Sequence, residues 1–148
     1  MLSEDRKLPR EAPIRIPRLQ NHIESDPSII ALFLFGSAAK DALQPLSDLD
    51  FGVLLDNQLG RKDLREKHWD LMTLFEDILE TDHFDLVLMN QAPPRICFEI
   101  LKTGQLLQAS HSKQLTDFIE WTTKIHLDFL PYRQEFDELF IQGSQSHG

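Results

Sequence analysis

Gly36-Ser37, ten intervening residues and then Asp48-Leu49-Asp50 form the stretch of this 148-residue chain whose residue types could do chemistry. The pair Gly-Ser directly follows an apolar run, Ile29-Ile30-Ala31-Leu32-Phe33-Leu34-Phe35. A glycine lets a phosphate come close to the backbone, and a serine adds a hydroxyl donor. If a helix begins at 38–42, Ser37 is its N-cap, and its free N–H groups point at the same place, which makes an anion site. Asp48 and Asp50 are two apart on a predicted strand, so both carboxylates project from one face. Held that close they repel each other and raise each other's pKa, and a divalent cation relieves this. Paired Asp oxygens suit Mg²⁺, which prefers hard oxygen ligands and a shared substrate phosphate. Asp85, within Phe84-Asp85-Leu86-Val87-Leu88, is the candidate third acid, because a carboxylate on a buried strand is otherwise expensive. If its strand neighbours that of Asp48 and Asp50, the three could hold two metals. Such a pair clamps the attacking and leaving oxygens of an in-line phosphoryl displacement, and Asp85 could take the proton of the attacking hydroxyl.

The elements that must position these residues follow from periodicity. Residues 29–35, 49–55 and 84–89 are short and apolar on both faces, as expected of strands in a covered sheet. Between the second and third, residues 61–80 carry Leu64, His68, Leu71, Phe75, Ile78 and Leu79 at helical spacing with charges elsewhere, which predicts an amphipathic helix. A short helix with Pro17 in its first turn carries Leu19, His22 and Ile23 and ends by Asp26-Pro27. Pro93-Pro94 starts another helix, through Ile96, Ile100 and Leu101, capped by Gly104. Leu106-Leu107 suggests a short strand. Residues 112–130 are helical, Pro131 interrupts, and 136–141 form a last apolar turn that folds back on the core or docks a partner. The result is an α+β (α/β-like) chain read as a single domain over 1–148, with a helical C-terminal third. Residues 1–14 are a loose lead-in, and 143–148 are frayed.

Composition narrows the function classes. Apolar residues make up 41% and charged residues 26%, ordinary for a globular chain. The net charge is −9, and residues 41–90 hold twelve Asp/Glu against four Lys/Arg. This disfavours direct nucleic-acid binding and docking on an anionic membrane. No run approaches the ~18–20 apolar residues of a membrane span. The N-terminal residues lack the apolar segment of a signal peptide, so a cytoplasmic location is expected. The single cysteine, Cys97, excludes an intramolecular disulfide and reads as a small buried hydrophobe. His22, His68 and His126 read as packing residues and His83 as a turn residue. Trp69 and Trp121 read as packing or interface residues.

Gly36-Ser37-x10-Asp48-x-Asp50, with the later Phe84-Asp85-Leu86-Val87, resembles the signature of the DNA polymerase β-like nucleotidyltransferase superfamily, in particular its minimal nucleotidyltransferase branch. The resemblance spans about residues 28–108. It implies a central mixed sheet flanked by helices, and transfer of AMP from ATP, with Mg²⁺, onto a hydroxyl. Gly36 and Ser37 match the phosphate-binding pair, and Asp48, Asp50 and Asp85 match the metal-binding and catalytic acids. Members of this branch commonly serve as antitoxins that modify a tyrosine of a HEPN-domain ribonuclease toxin. The resemblance therefore implies a hetero-oligomer with such a protein. Where the family often has Arg-Gly after the Gly-Ser-x-Ala, this chain has Lys40-Asp41, which keeps a positive charge without the guanidinium fork and adds a negative one. Two other readings keep the scaffold: an antitoxin that works by binding alone, its acidic segment covering a basic surface, and an enzyme whose acceptor is a small molecule such as an aminoglycoside.

Overall fold

Continuous apolar runs bounded by turn residues become the two central strands. The computed structural model of the chain describes residues 11–36, 49–110 and 112–141, with side chains in the last segment described over 113–128. After a 3₁₀ turn at Pro13–Arg15 the elements run α1 (Ile16–Glu24), β1 (Ile29–Phe35), β2 (Leu49–Leu55), α2 (Arg61–Leu79), β3 (Phe84–Leu88), α3 (Pro94–Thr103), β4 (Gln105–Ala109) and α4 (Ser112–Ile141). The strands make one mixed sheet in the order β3-β2-β1-β4. β1 is antiparallel to both β2 and β4, and β2 is parallel to β3.

Each face of the sheet carries its own core, which is why β1 and β2 are apolar at nearly every position. On one face Leu32, Leu34, Leu49, Phe51, Val53, Leu55, Phe84, Leu86 and Leu88 pack with Leu19 and Ile23 of α1 and Leu71, Phe75 and Leu79 of α2. Phe51 and Phe75 meet edge to face at 5.1 Å, a geometry that ring quadrupoles favour. On the other face Ile30, Phe33, Leu54 and Met89 pack with Cys97 and Ile100 of α3 and Leu115 of α4. Gly52 lets α3 close on this face: a Cβ there would lie 3.1 Å from Ile100 Cδ1 and 3.2 Å from Met89 Sδ. Gly52→Val should overpack this contact and destabilise the chain by about 2 kcal/mol. Urea unfolding should show it as a lower midpoint at unchanged slope.

One polar clasp joins the layers. Lys67 of α2 pairs with Asp26 in the loop before β1, and Ser28 donates to the same carboxylate through its N–H and its hydroxyl, at 3.0 and 2.7 Å. Burial works to raise the Asp26 carboxyl, but Lys67 and Ser28 outweigh it and hold the group below its ordinary 3.8. A carboxylate depressed in the folded state stabilises above its unfolded pKa and loses that contribution as pH falls through the folded one. Acidification from above 3.8 to well below it should therefore lower the unfolding midpoint less in Asp26→Asn than in the parent chain.

Several expectations are corrected. α4 does not break at Pro131; it is helical through to Ile141, so the separate turn at 136–141 is the end of one 30-residue helix. Proline removes one backbone donor and its ring crowds the carbonyl four residues back, yet the helix continues through it. Gly104 follows α3 in an extended conformation rather than a left-handed one. Its need is space, since a Cβ would come 2.5 Å from the Ile100 carbonyl oxygen. α2 ends on Glu80, a non-glycine residue in the left-handed region at φ 59°. β3 stops at Leu88, one residue early, and Asn90 clasps the Leu55 backbone instead, accepting from its N–H and donating to its carbonyl, both at 2.8 Å. The helix expected at 38–42 lies outside the described residues.

Candidate active site

Asp50 and Asp85 are direct partners in the parallel β2–β3 register, and Phe35 at the end of β1 partners Asp50 from the other side. Alternation fixes their face. Leu49, Phe51 and Val53 of β2 and Phe84, Leu86 and Leu88 of β3 belong to the α1/α2 core. Asp50 and Asp85 therefore project on the opposite face, in the strand positions that continue into Gly52 and Val87. Neighbouring strands are about 4.8 Å apart, so two like charges stand level across one strand spacing. Asp50 is half-buried, and Asp85, on an edge strand, is exposed.

Gly36 closes β1 with φ +76°, the left-handed region that favours glycine. A Cβ at this position would lie 2.5 Å from Asp50 Oδ2. The glycine therefore turns the chain away from β1 and leaves room for the Asp50 carboxylate. Of the five residues singled out in the sequence, the structure brings Gly36, Asp50 and Asp85 to one end of the sheet. Ser37 and Asp48 lie outside the described residues. Among the described residues no group of three or more His, Cys, Asp or Glu is close enough to hold a metal ion. The donor chemistry nonetheless fits one in kind, since two carboxylates stand level on neighbouring strands and hard oxygen donors suit a divalent cation.

The remaining candidates resolve into structural roles. Cys97 is buried, its thiol donates to the Met89 carbonyl at 3.3 Å, and burial pushes its pKa up to about 11, which leaves no thiolate for chemistry. His126 stacks on Phe98 with centroids 3.7 Å apart, a packing role. His22 is exposed rather than packed. His83 sits half-buried in the loop before β3, 3.7 Å from Asp82. Trp69 and Trp121 are 71% and 53% exposed, so neither fills the core. His68 is half-buried, and its Nε2 is 2.7 Å from the Leu86 carbonyl oxygen on β3, a polar contact that its place on an apolar stripe did not announce. A groove of about 290 Å³ between Leu54, Asn90, Phe118 and Trp121 lies at the far end of the sheet from the acids.

A family model described as "Polymerase beta, Nucleotidyltransferase" matches residues 18–113 and so includes Gly36, Asp50 and Asp85. The chain belongs to the polymerase beta nucleotidyltransferase family. Its mixed sheet flanked by helices is that family's fold, and this nucleotidyltransferase resembles solved structures over nearly their whole length. One is a chain of a toxin–antitoxin complex with AMP-PNP, at 22% identity and TM-score 0.64, covering 86% of this chain and 97% of that one. Another comes from a toxin–antitoxin complex of MntA and HepT, at 19% identity and TM-score 0.61, covering 87% and 98%. A third comes from a tri-AMPylated Shewanella oneidensis HEPN toxin in complex with an MNT antitoxin, at 19% identity and TM-score 0.61, covering 88% and 98%. At these identities the likeness establishes the fold. No curated protein sequence matches the chain. Among the described residues no helix is long and apolar enough to cross a membrane.

Proposed function

We propose that this nucleotidyltransferase is the antitoxin of a toxin–antitoxin pair and transfers AMP from ATP to a tyrosine hydroxyl of a HEPN-domain toxin, silencing it. The observation that carries the reading is the level pair Asp50–Asp85 beside a glycine that the Asp50 carboxylate crowds. The printed descriptions of the structural relatives, which include an AMP-PNP complex and an AMPylated HEPN toxin, support the choice of donor and acceptor.

In this reading Gly36 and Ser37 receive the ATP phosphates through backbone N–H groups and a hydroxyl. Asp48, Asp50 and Asp85 would hold Mg²⁺, which when bound offsets the charge of the triphosphate and of its leaving group. The acceptor oxygen forms a bond to the α-phosphorus as the bond from that phosphorus to the β-bridging oxygen breaks, and pyrophosphate leaves. Asp85, the exposed acid of the pair, takes the proton that the tyrosine hydroxyl gives up. The acidity of residues 41–90 then has a local use, because three of its twelve acids bind cations and admit a polyanion.

The test is incubation of the full chain with α-labelled ATP, Mg²⁺ and the protein encoded by the neighbouring reading frame, with a known aminoglycoside as an alternative acceptor. Label on a tyrosine of the protein supports the reading. Neutralisation of that partner without label would replace transfer by binding, and label on the aminoglycoside alone would replace the protein acceptor.

A further inference from the structure

β3 is an edge strand, paired with β2 on one side. At the ends of this ladder the Leu49 N–H donates to the His83 carbonyl at 3.3 Å, and the Met89 N–H donates to the Val53 carbonyl at 2.9 Å. In a parallel ladder alternate residues turn both backbone groups toward the same neighbour. Between these ends Asp85 and Val87 therefore face β2, and the Leu86 carbonyl faces outward, where no strand among the described residues pairs with it. His68 of α2 meets this carbonyl at 2.7 Å. A carbonyl oxygen only accepts, so Nε2 carries the hydrogen and donates it.

We propose that His68 is a positioning residue for Asp85. By tying the outward carbonyl of the next residue to α2, it holds the free edge of β3 and keeps the Asp85 carboxylate level with Asp50. β2 fixes β3 from one side, and His68 fixes it from the other, at the point where a shift would be felt at the site. α2 is in turn anchored through Leu71, Phe75 and Leu79 in the core, so the bond ties an edge strand to a helix held in that face. The proposal rests on the role given to Asp85 above, and it goes beyond that role by adding a residue that belongs to no part of the Gly-Ser…Asp-x-Asp pattern.

The experiment compares His68→Leu, which keeps the volume and loses the donor, with His68→Gln, whose amide N–H can reach the same carbonyl. Both are good helix formers. With full-length chain, partner protein and Mg-ATP, His68→Leu should lower kcat about tenfold, the usual scale for losing a group that orients a catalytic one. KM for ATP should stay within about twofold, because nucleotide contacts are untouched. His68→Gln should recover most of the rate. Amide hydrogen exchange of the same proteins without nucleotide gives a reading independent of catalysis. In His68→Leu the Asp85 and Val87 amides should exchange faster while β1 amides do not, and His68→Gln should restore them. A full rate in His68→Leu, equal losses in both variants, or unchanged exchange at Asp85 and Val87 would overturn the proposal. If the parent chain transfers no label, the transfer reading fails by itself, and the exchange comparison still decides the role of His68.

Discussion

Asp50→Asn should reduce nucleotidyl transfer by about a thousandfold, the scale on which one preorganised electrostatic contact to a transition state is lost. The side chain keeps its size and one acceptor oxygen, so the geometry of β2 is preserved while the charge is removed. The charge is what the site needs. Asp50 stands level with Asp85 across a parallel ladder, and a cation shared by the two replaces their repulsion with attraction. The same change should not lower the thermal midpoint measured without divalent cations, because it removes one of two like charges standing level and the carboxylate is half-buried at a strand end rather than packed in either core. Added Mg²⁺ should raise the midpoint of the parent chain by selective binding to the folded state, and should raise that of Asp50→Asn much less. A variant that transfers AMP at the parent rate would remove Asp50 from the metal site.

Gly36→Ala should also separate folding from function, by moving the Asp50 carboxylate rather than removing its charge. The residue sits at φ +76°, where an L side chain costs about 1 kcal/mol. The added Cβ would also lie 2.5 Å from Asp50 Oδ2. That oxygen ends a short side chain and can rotate away, so the sheet survives. What moves is the carboxylate itself. A displacement of about 1 Å at a reacting group can cost about a hundredfold in rate. Gly36→Ala should therefore stay folded by circular dichroism, lose about 1–2 kcal/mol in urea unfolding, and lose about a hundredfold in AMP transfer. Loss of activity in step with loss of folded protein would contradict this account.

Much of the arrangement was legible from residue order. β1 and β2 were read at their observed bounds, because strands buried on both faces are apolar at nearly every position and end where turn residues begin. The α2 helix followed from one stripe of apolar residues among charges. Asp85 stood out as an acid inside an apolar strand, but the burial cost that argument assumed is absent, since β3 is an edge strand and Asp85 is exposed. Other features were not legible. α4 runs through Pro131, which a local rule about proline does not foresee. Cys97 and His126 took the bland roles expected, whereas His22 is exposed, and Trp69 and Trp121 lie outside the core, Trp121 against the Phe118 ring. An apolar stripe shows which side of a helix faces inward, but not how far the neighbouring layer extends over its flanks.

The glycine at 36, the acids at 50 and 85 and the strands that carry them are properties of the sequence by itself. It carries the glycine and the acids in local patterns of residue type, and those patterns need no partner to be seen. Only the tertiary structure decided that Asp50 and Asp85, 35 residues apart, stand directly opposite each other. Strand order and register are settled by which faces two separate cores must cover, and a one-residue slip would have turned Asp85 to the other side. It also decided that the atom crowding Gly36 belongs to Asp50, and that His68 reaches across a sheet edge to the residue beside Asp85. Contacts between elements depend on how the layers close, and spacing along one chain does not encode that closure residue by residue.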